Sequence, residues 1–108
     1  MNKGQLGNMM KQIQQMQAQM EKIQAELEEM EIEGSSGGGM VKCMVNGKQE
    51  VLEITIDKEV VNPDDVEMLQ DLIVAAVNQA RQKAQEIQQE QMSQLTGGMN
   101  LPGLNLPF

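Results

Sequence analysis

The chain has no histidine, tryptophan or tyrosine, and its 108 residues include one phenylalanine and one cysteine. Without histidine it lacks the commonest general base and the commonest transition-metal ligand. A single cysteine, Cys43, excludes an intrachain disulfide and a metal site built from several thiolates. A core with so few aromatic rings must be aliphatic and rich in the 11 methionines, which pack adaptably. The composition therefore argues against an enzyme and predicts no cofactor.

Long apolar runs are also missing. No stretch approaches the roughly 18 apolar residues of a membrane span, and the first residues lack the apolar region of a signal peptide. We therefore expect a reduced, cytoplasmic protein with no membrane partner. The length fits one domain. Because a small, elongated chain buries a modest fraction of its surface, we also expect a partner subunit.

Basic residues are few: 8 lysines and arginines stand against 16 acidic residues, for a net charge of −8. This balance alone argues against nucleic acid, because polyanion binding usually needs a basic surface. The charge is unevenly spread, however. Residues 1–25 carry three lysines and one glutamate, whereas residues 26–33 carry five glutamates. The acid lies in the middle of the chain, and its two ends are neutral or basic.

A heptad pattern opens the chain. Apolar residues alternate at spacings of three and four over more than three heptads, which is the period of a coiled-coil seam. We predict a helix from about Asn8 to Met30, about 35 Å long, after a beginning weakened by glycines. The apolar residues of this stripe are Leu6, Met9, Ile13, Met16, Met20, Ile23, Leu27 and Met30.

Strands follow the helix. We predict a short strand around Ile32, a second over 40–45 and a third over 51–57. In the third strand, Leu52, Ile54 and Ile56 are expected to point inward. Asn46-Gly47 is typical of a type I′ hairpin, although the residues up to position 50 also allow a longer loop.

The second helix has a marked start. Asn62 can cap it, Pro63 suits the first helical position, and the next acidic residues complement the helix dipole. Its first half, 66–77, is apolar around much of its circumference, so we expect it to be buried. Later the apolar stripe narrows, and we expect the helix to finish as an arm. We therefore divide the chain into one domain, 1–96, and a tail, 97–108.

The tail, GGMNLPGLNLPF, has two glycines that stop the helix and prolines that prevent regular structure. It contains no charged side chain and is moderately apolar. We predict disorder from this composition. Docking of the tail in a groove is the alternative.

The stretch GSSGGGMVKC, 34–43, raises the question of a phosphate-binding loop. Such a loop needs Gly-Lys-Ser/Thr at its end and opens a helix, whereas here Gly39 is followed by Met40, Val41 and a strand. We therefore interpret the glycines as a turn that needs positive φ and close backbone approach. Cys43 alternates with valines and is expected in the core.

Five cations are candidates for DNA contact: Lys3, Lys11, Lys22, Arg81 and Lys83. If the two helices pack antiparallel, we expect the acidic segments to gather near the sheet. Four of the cations should then lie further out on the helical arms: Lys3, Lys11, Arg81 and Lys83. Glutamines on both helices add neutral hydrogen-bonding capacity. From composition alone, ordinary solvated helix faces remain the simpler interpretation.

Several segments together resemble one known family. MVKCMVNGKQEV follows a glycine-rich turn, leads to ITID, and is followed by NPDDVEMLQDLIVAAVNQARQKAQE and then GGMNLPGL. This combination looks like the YbaB/EbfC family of nucleoid-associated proteins, over nearly the whole chain. The resemblance implies an α+β fold of order α-β-β-β-α, with a small antiparallel sheet and two long helices that form protruding, tweezer-like arms in a homodimer.

The resemblance also implies a function. Members of the family are bacterial proteins of the nucleoid that bind duplex DNA with little sequence preference and alter its conformation. The family pattern includes no catalytic residue, cofactor or small-molecule substrate. An alternative from the composition is a helical-arm scaffold or chaperone-like module that binds protein, because methionine-rich surfaces can repack around varied partners.

Overall fold

The structure, a computed structural model, describes residues 3–97. A long helix, α1 (Lys3–Glu29), leads into a three-stranded sheet, and a second long helix, α2 (Val66–Gly97), follows it. The strands are β1 (Ile32–Ser36), β2 (Val41–Val45) and β3 (Val51–Ile56). They pair antiparallel in the order β1-β2-β3. The predicted α-β-β-β-α order and antiparallel sheet are confirmed, and the molecule is elongated, at 74 × 25 × 16 Å.

The loop between β2 and β3 is the longer of the two predicted alternatives. The backbone N–H of Asn46 donates to the Glu50 carbonyl at 3.0 Å, and the Asn46 side-chain oxygen accepts from the N–H groups of Lys48 and Glu50. Gln49 has φ +68, in the left-handed region. The loop also caps the C-terminal end of α1, because the N–H of Gly47 donates to the Leu27 carbonyl at 2.7 Å. Asn46-Gly47 therefore belongs to a longer turn that binds the end of the helix.

The core lies between one face of the sheet and α2. Val41, Cys43 and Val45 on β2 are fully buried, and α2 covers β1 and β2. The helix approaches closely because it presents small side chains there. These buried alanines are Ala76, Ala80 and Ala84.

The glycine-rich turn has the structural role expected of it. Gly37, Gly38 and Gly39 all have positive φ, between +60 and +94, which residues with a Cβ seldom adopt. Gly34 meets the second expectation, close approach: a Cβ there would lie 2.6 Å from the Ala76 carbonyl oxygen. The stretch is therefore a turn and a contact between the sheet and α2.

The predicted start of the second helix is wrong. Asn62 accepts from the backbone N–H of Asp64 and forms a separate turn, whereas α2 begins at Val66. Asp65 caps it, accepting from the N–H of Met68 at 3.2 Å. Both asparagine and aspartate are strong caps, and the second one available, three residues later, begins the helix.

The first half of α2 is also less buried than predicted. Val66 and Val74 on α2 are 52% and 57% exposed.

The edge strand β3 is also exposed, with Leu52 at 52%. Ile54 pairs with the buried Cys43 and so lies on the covered face of the sheet, yet it is 40% exposed. The alternation predicted for β3 holds at Ile54 and Ile56, whereas a bulge pairs Val51, predicted to point outward, with the buried Val45. Helix α2 covers only the other two strands. An apolar strip of the sheet therefore extends beyond the helix.

The heptad stripe of α1 is buried in a gradient. Leu27, next to the sheet, is fully buried, Met20 is half-buried and Ile13 is 54% exposed. The helix begins at Lys3, earlier than the predicted Asn8. The predicted tail, 97–108, lies outside the described residues apart from Gly97, which is the last residue given for α2.

Candidate nucleic-acid interface

The two helices form an arm that extends from the sheet, comprising residues 3–23 of α1 and 85–97 of α2. They run antiparallel, since Leu95 near the end of α2 lines a groove with Gln19 and Ile23 of α1. The groove has a volume of about 250 Å³. The antiparallel packing expected from the sequence is therefore present, but the start of α1 extends beyond the described part of α2.

The outer part of the arm contains no acidic residue. None occurs in 3–20 or in 91–97, and Lys11 lies in this region with its side chain exposed. Carboxylates are concentrated instead around the sheet and the start of α2, on residues 26–33 and 57–71. The outer arm is thus the part of the molecule where a phosphate meets least repulsion.

Lys11 and Lys22 lie on the same face of α1. Eleven residues make about three turns, so the two side chains are aligned and about 17 Å apart along the helix. Both are exposed, and within residues 3–97 neither side chain forms a hydrogen bond or an ion pair. Lys22 lies closer to the acidic part, beside Glu26. Lys3 begins α1, but its side chain lies outside what the structure describes.

Arg81 and Lys83 lie beside the sheet, not out on the arm. The Lys83 ammonium donates to the Glu33 carbonyl oxygen of β1 at 2.9 Å, and Ala80, next to Arg81, packs against Gly34. The prediction that these two cations lie far out is therefore wrong, because α2 stays packed on the sheet as far as Ala84. Both side chains are nevertheless exposed.

A second groove, not anticipated from the sequence, runs along α2. Gln85, Gln88, Gln89 and Met92 line it together with Gln49 of the hairpin loop, in a volume of about 250 Å³. The Gln49 side-chain amide donates to Gln88 at 3.4 Å. Arg81 precedes Gln85 by four residues and lies on the same side of the helix. The repeated glutamines were visible in the sequence, but their alignment with the loop was not.

The remaining reactive groups in the described part serve structure. The Lys48 ammonium contacts a Glu28 oxygen at 2.6 Å and joins the hairpin loop to α1. Burial raises the pKa of the Cys43 thiol, which keeps it protonated. Residues 3–97 contain no cluster of three metal-ligating side chains. No helix there is long and apolar enough to span a membrane.

These features define an α+β protein with a helical arm whose outer part presents an exposed lysine and no carboxylate. Comparison with known proteins identifies the family: residues 1–99 match the model of the YbaB/EbfC DNA-binding family. The chain belongs to this family.

Two relatives match over almost their whole length. A nucleoid-associated protein of Geobacillus kaustophilus is 58% identical over 107 residues, covering 96% of this chain and 99% of the relative. One of Desulforamulus reducens is 52% identical over 104 residues, with the same coverage. The crystal structure of an uncharacterized protein from Helicobacter pylori has a TM-score of 0.75 at 24% identity, over 90% of this chain and 99% of that one. This last comparison supports the fold alone.

Proposed function

We propose that this protein binds duplex DNA as a homodimer, with little sequence specificity, and alters its conformation. Its place is the nucleoid in the cytoplasm, where this binding contributes to nucleoid organisation and to gene regulation. Residues 1–96 act as the single DNA-binding domain. The observation that carries the proposal is the outer arm, whose exposed lysine has no acidic neighbour, in a chain of strongly negative net charge.

The charge distribution favours the arm as the contact surface. Acidic residues around the sheet repel phosphates, so the duplex approaches where they are absent. Contacts with phosphates carry no sequence information, which fits binding with little specificity. The candidates remain the five cations predicted from the sequence. Lys11 and Lys22 are the strongest of these, because their side chains are exposed and unpaired within the described residues.

Membership of a DNA-binding family and the names of the relatives support the nucleoid role. The homodimer draws support from the apolar strip beyond α2. Exposed apolar residues on an edge strand invite pairing, and a symmetric second copy would cover them. The strip comprises Leu52 and Ile54 of β3. Val66, Met68 and Val74 on α2 are further exposed apolar residues.

Charge reversal on the arm tests the DNA contacts. The double variant Lys11→Glu with Lys22→Glu should weaken duplex binding at least about tenfold at low salt, and about equally for unrelated sequences. The slope of log affinity against log salt should also fall, by about 0.9 for each phosphate that the variant no longer neutralises. Gel shift at several salt concentrations measures both quantities.

The matched control carries the same change in net charge near the sheet. Lys42→Glu with Lys58→Glu replaces two exposed lysines outside the arm and should leave the salt slope nearly unchanged. Equal losses of affinity in the two variants would mean that net charge, not the arm, governs binding. A separate variant, Arg81→Glu with Lys83→Glu, tests the two cations beside the sheet.

One observation favours the second candidate, a helical-arm module that binds protein. The beginning of α1 exposes large apolar side chains, including Met9 and Met10, and such surfaces adapt to varied partners. Absence of any duplex binding at low salt, with a folded protein, would favour this candidate over the first.

A further inference from the structure

The first three turns of α1 expose an apolar patch that no described residue covers. Its four large side chains are each about half exposed, and their spacing confines them to roughly 100° of the helix. Single exposed apolar residues are common, but a contiguous group usually marks a contact surface. We call this group the tip patch; it comprises Leu6 (52% exposed), Met9 (47%), Met10 (56%) and Ile13 (54%).

The described part of α2 does not reach the tip patch. Leu95 lines a groove with Gln19 of α1, and the described part of α2 extends two residues further, to Gly97. Because the helices run antiparallel, α2 points toward the start of α1 at Gly97. From Gln19 back to Leu6 the distance along the helix is about 20 Å.

The tail has the reach and the chemistry to cover this distance. Residues 98–108 span up to about 36 Å when extended. They contain no charged side chain, and two of them are prolines, which are unfavourable inside a helix. An uncharged, apolar segment of sufficient length thus follows α2 on the arm that carries an uncharged, apolar patch. Its large apolar side chains are Met99, Leu101, Leu104, Leu106 and Phe108.

We propose that the tail folds back along the arm of its own chain and packs its apolar side chains on the tip patch. Of the two interpretations that the composition allowed for the tail, the exposed patch favours docking. The inference is independent of DNA binding. Lys11 lies on the side of α1 opposite the patch, so a docked tail leaves this lysine accessible to a phosphate.

A spin label near the end of the tail tests the contact in the full-length chain. Asn105→Cys provides the attachment point without removing an apolar side chain of the tail, while the fully buried Cys43 stays unlabelled. The nitroxide should broaden the amide NMR signals of residues 6–13 and leave the hairpin loop, 46–50, unaffected. Broadening confined to the tail itself would overturn the proposal.

Substitutions in the patch make the test specific. Leu6→Gln with Ile13→Gln keeps helix-forming residues at exposed positions and should remove the broadening. Met9→Gln with Met10→Gln should do the same independently. Ala18→Gln, exposed and outside the patch, should retain it. Broadening that survives both patch variants would mean that the tail lies elsewhere.

The occupant is identified by mixing two samples. Isotopically labelled chains without the nitroxide are combined with unlabelled chains that carry it. Broadening within one chain but not between chains supports the proposal. Broadening transferred to the labelled chains would show that the tail of a second copy covers the patch, and would overturn docking within the same chain.

Discussion

At the scale of single residues, Gly34 determines how closely α2 approaches the sheet. A Cβ at this position would lie 2.6 Å from the Ala76 carbonyl oxygen and 2.8 Å from the Ala80 Cα. Both are backbone atoms of a helix, which cannot move without disturbing its neighbours. We therefore expect Gly34→Ala to destabilise the fold by about 1–3 kcal/mol through overpacking. Thermal unfolding measures this as a fall in Tm of roughly 5 °C or more.

Gly7 provides the matched control for this prediction. No atom lies within 4 Å of a Cβ built there, and alanine is a better helix former than glycine by up to about 1 kcal/mol. Gly7→Ala should therefore leave Tm unchanged or raise it slightly. Equal falls in Tm for both variants would mean that crowding at Gly34 does not limit the packing of α2.

Cys43 is expected to be inert in the native protein. The residue is fully buried on β2, and burial raises the pKa of its thiol. Only the thiolate reacts readily, so a thiol reagent should modify Cys43 at a rate limited by unfolding. Reaction should become fast in denaturant. Fast, stoichiometric reaction of the native protein near neutral pH would contradict this assignment to the core.

The same thiol gives stability a dependence on alkaline pH. Because its pKa is higher in the folded chain, the unfolded chain releases the proton first. Its contribution is therefore constant below the ordinary thiol pKa, about 8.5, and falls as pH rises from there through the folded pKa. Urea unfolding at pH 7.5 and 9.5 should show a larger loss of stability for the parent than for Cys43→Ala, which lacks the group.

Residue patterns predicted some of these positions and not others. The glycine turn was predictable, because three successive glycines indicate a backbone with positive φ. The observed φ values lie between +60 and +94, which residues with a Cβ seldom adopt. The cap of α2 was not, since Asn62 and Asp65 are both strong caps three residues apart. Which of them begins the helix depends on how α2 sits on the sheet.

At the scale of elements, α1 is a helix whose apolar stripe changes partner along its length. Near the sheet, Leu27 is fully buried and its carbonyl accepts from Gly47. Further out only α2 accompanies the helix, and beyond the end of α2 no described residue does. The heptad pattern predicted the helix and its stripe. It did not predict the gradient, because a uniform pattern carries no information on where the partner helix stops.

The gradient predicts unequal effects of equal truncations. Leu27→Ala removes a fully buried side chain and should lower the free energy of unfolding by about 2–5 kcal/mol. Ile13→Ala, at a position 54% exposed, should lower it by less than about 1 kcal/mol. Denaturant titration of both variants measures the difference. Similar decreases would imply that the outer half of α1 is as well packed as the inner half.

Strand β3 shows that the orientation of a side chain and its burial are separate properties, although a sequence pattern suggests both together. Its alternation was predicted correctly at Ile54 and Ile56, which pairing with β2 places opposite buried residues, but not at Val51, which a bulge pairs with Val45. Burial did not follow, because one helix spans only the first two strands. A pattern identifies which face is apolar, whereas coverage depends on the width of the sheet relative to what packs on it.

At the scale of the whole molecule, the location of the charged residues bears more on the proposed DNA contact than the net charge does. A net charge of −8 argued against DNA, but the outer arm, which contains the stretches 3–20 and 91–97, has no carboxylate. The sequence predicted that Lys3, Lys11, Arg81 and Lys83 lie further out on the arm, and this was right for Lys11. It misplaced Lys83, because the alanines that let α2 continue along the sheet, as far as Ala84, were interpreted as the start of an arm.

The apolar strip beyond α2 leads to a prediction about the assembly. If a second copy covers it, light scattering should give twice the chain mass of 12.0 kDa at micromolar concentration. Leu52→Lys with Ile54→Lys places two charges in the strip, where burial against a partner would desolvate them. This variant should therefore be monomeric and still folded, because both positions are already 40–52% exposed within the chain.

The control for this prediction uses the other face of the same strand. Glu53→Lys with Thr55→Lys adds two lysines at exposed positions that alternate with the strip, so it alters the edge without altering the apolar face. It should remain dimeric. A parent protein that is monomeric throughout the micromolar range would rule out the homodimer. If both variants dissociate, the interface is the hydrogen-bonding edge of β3 and not its apolar face.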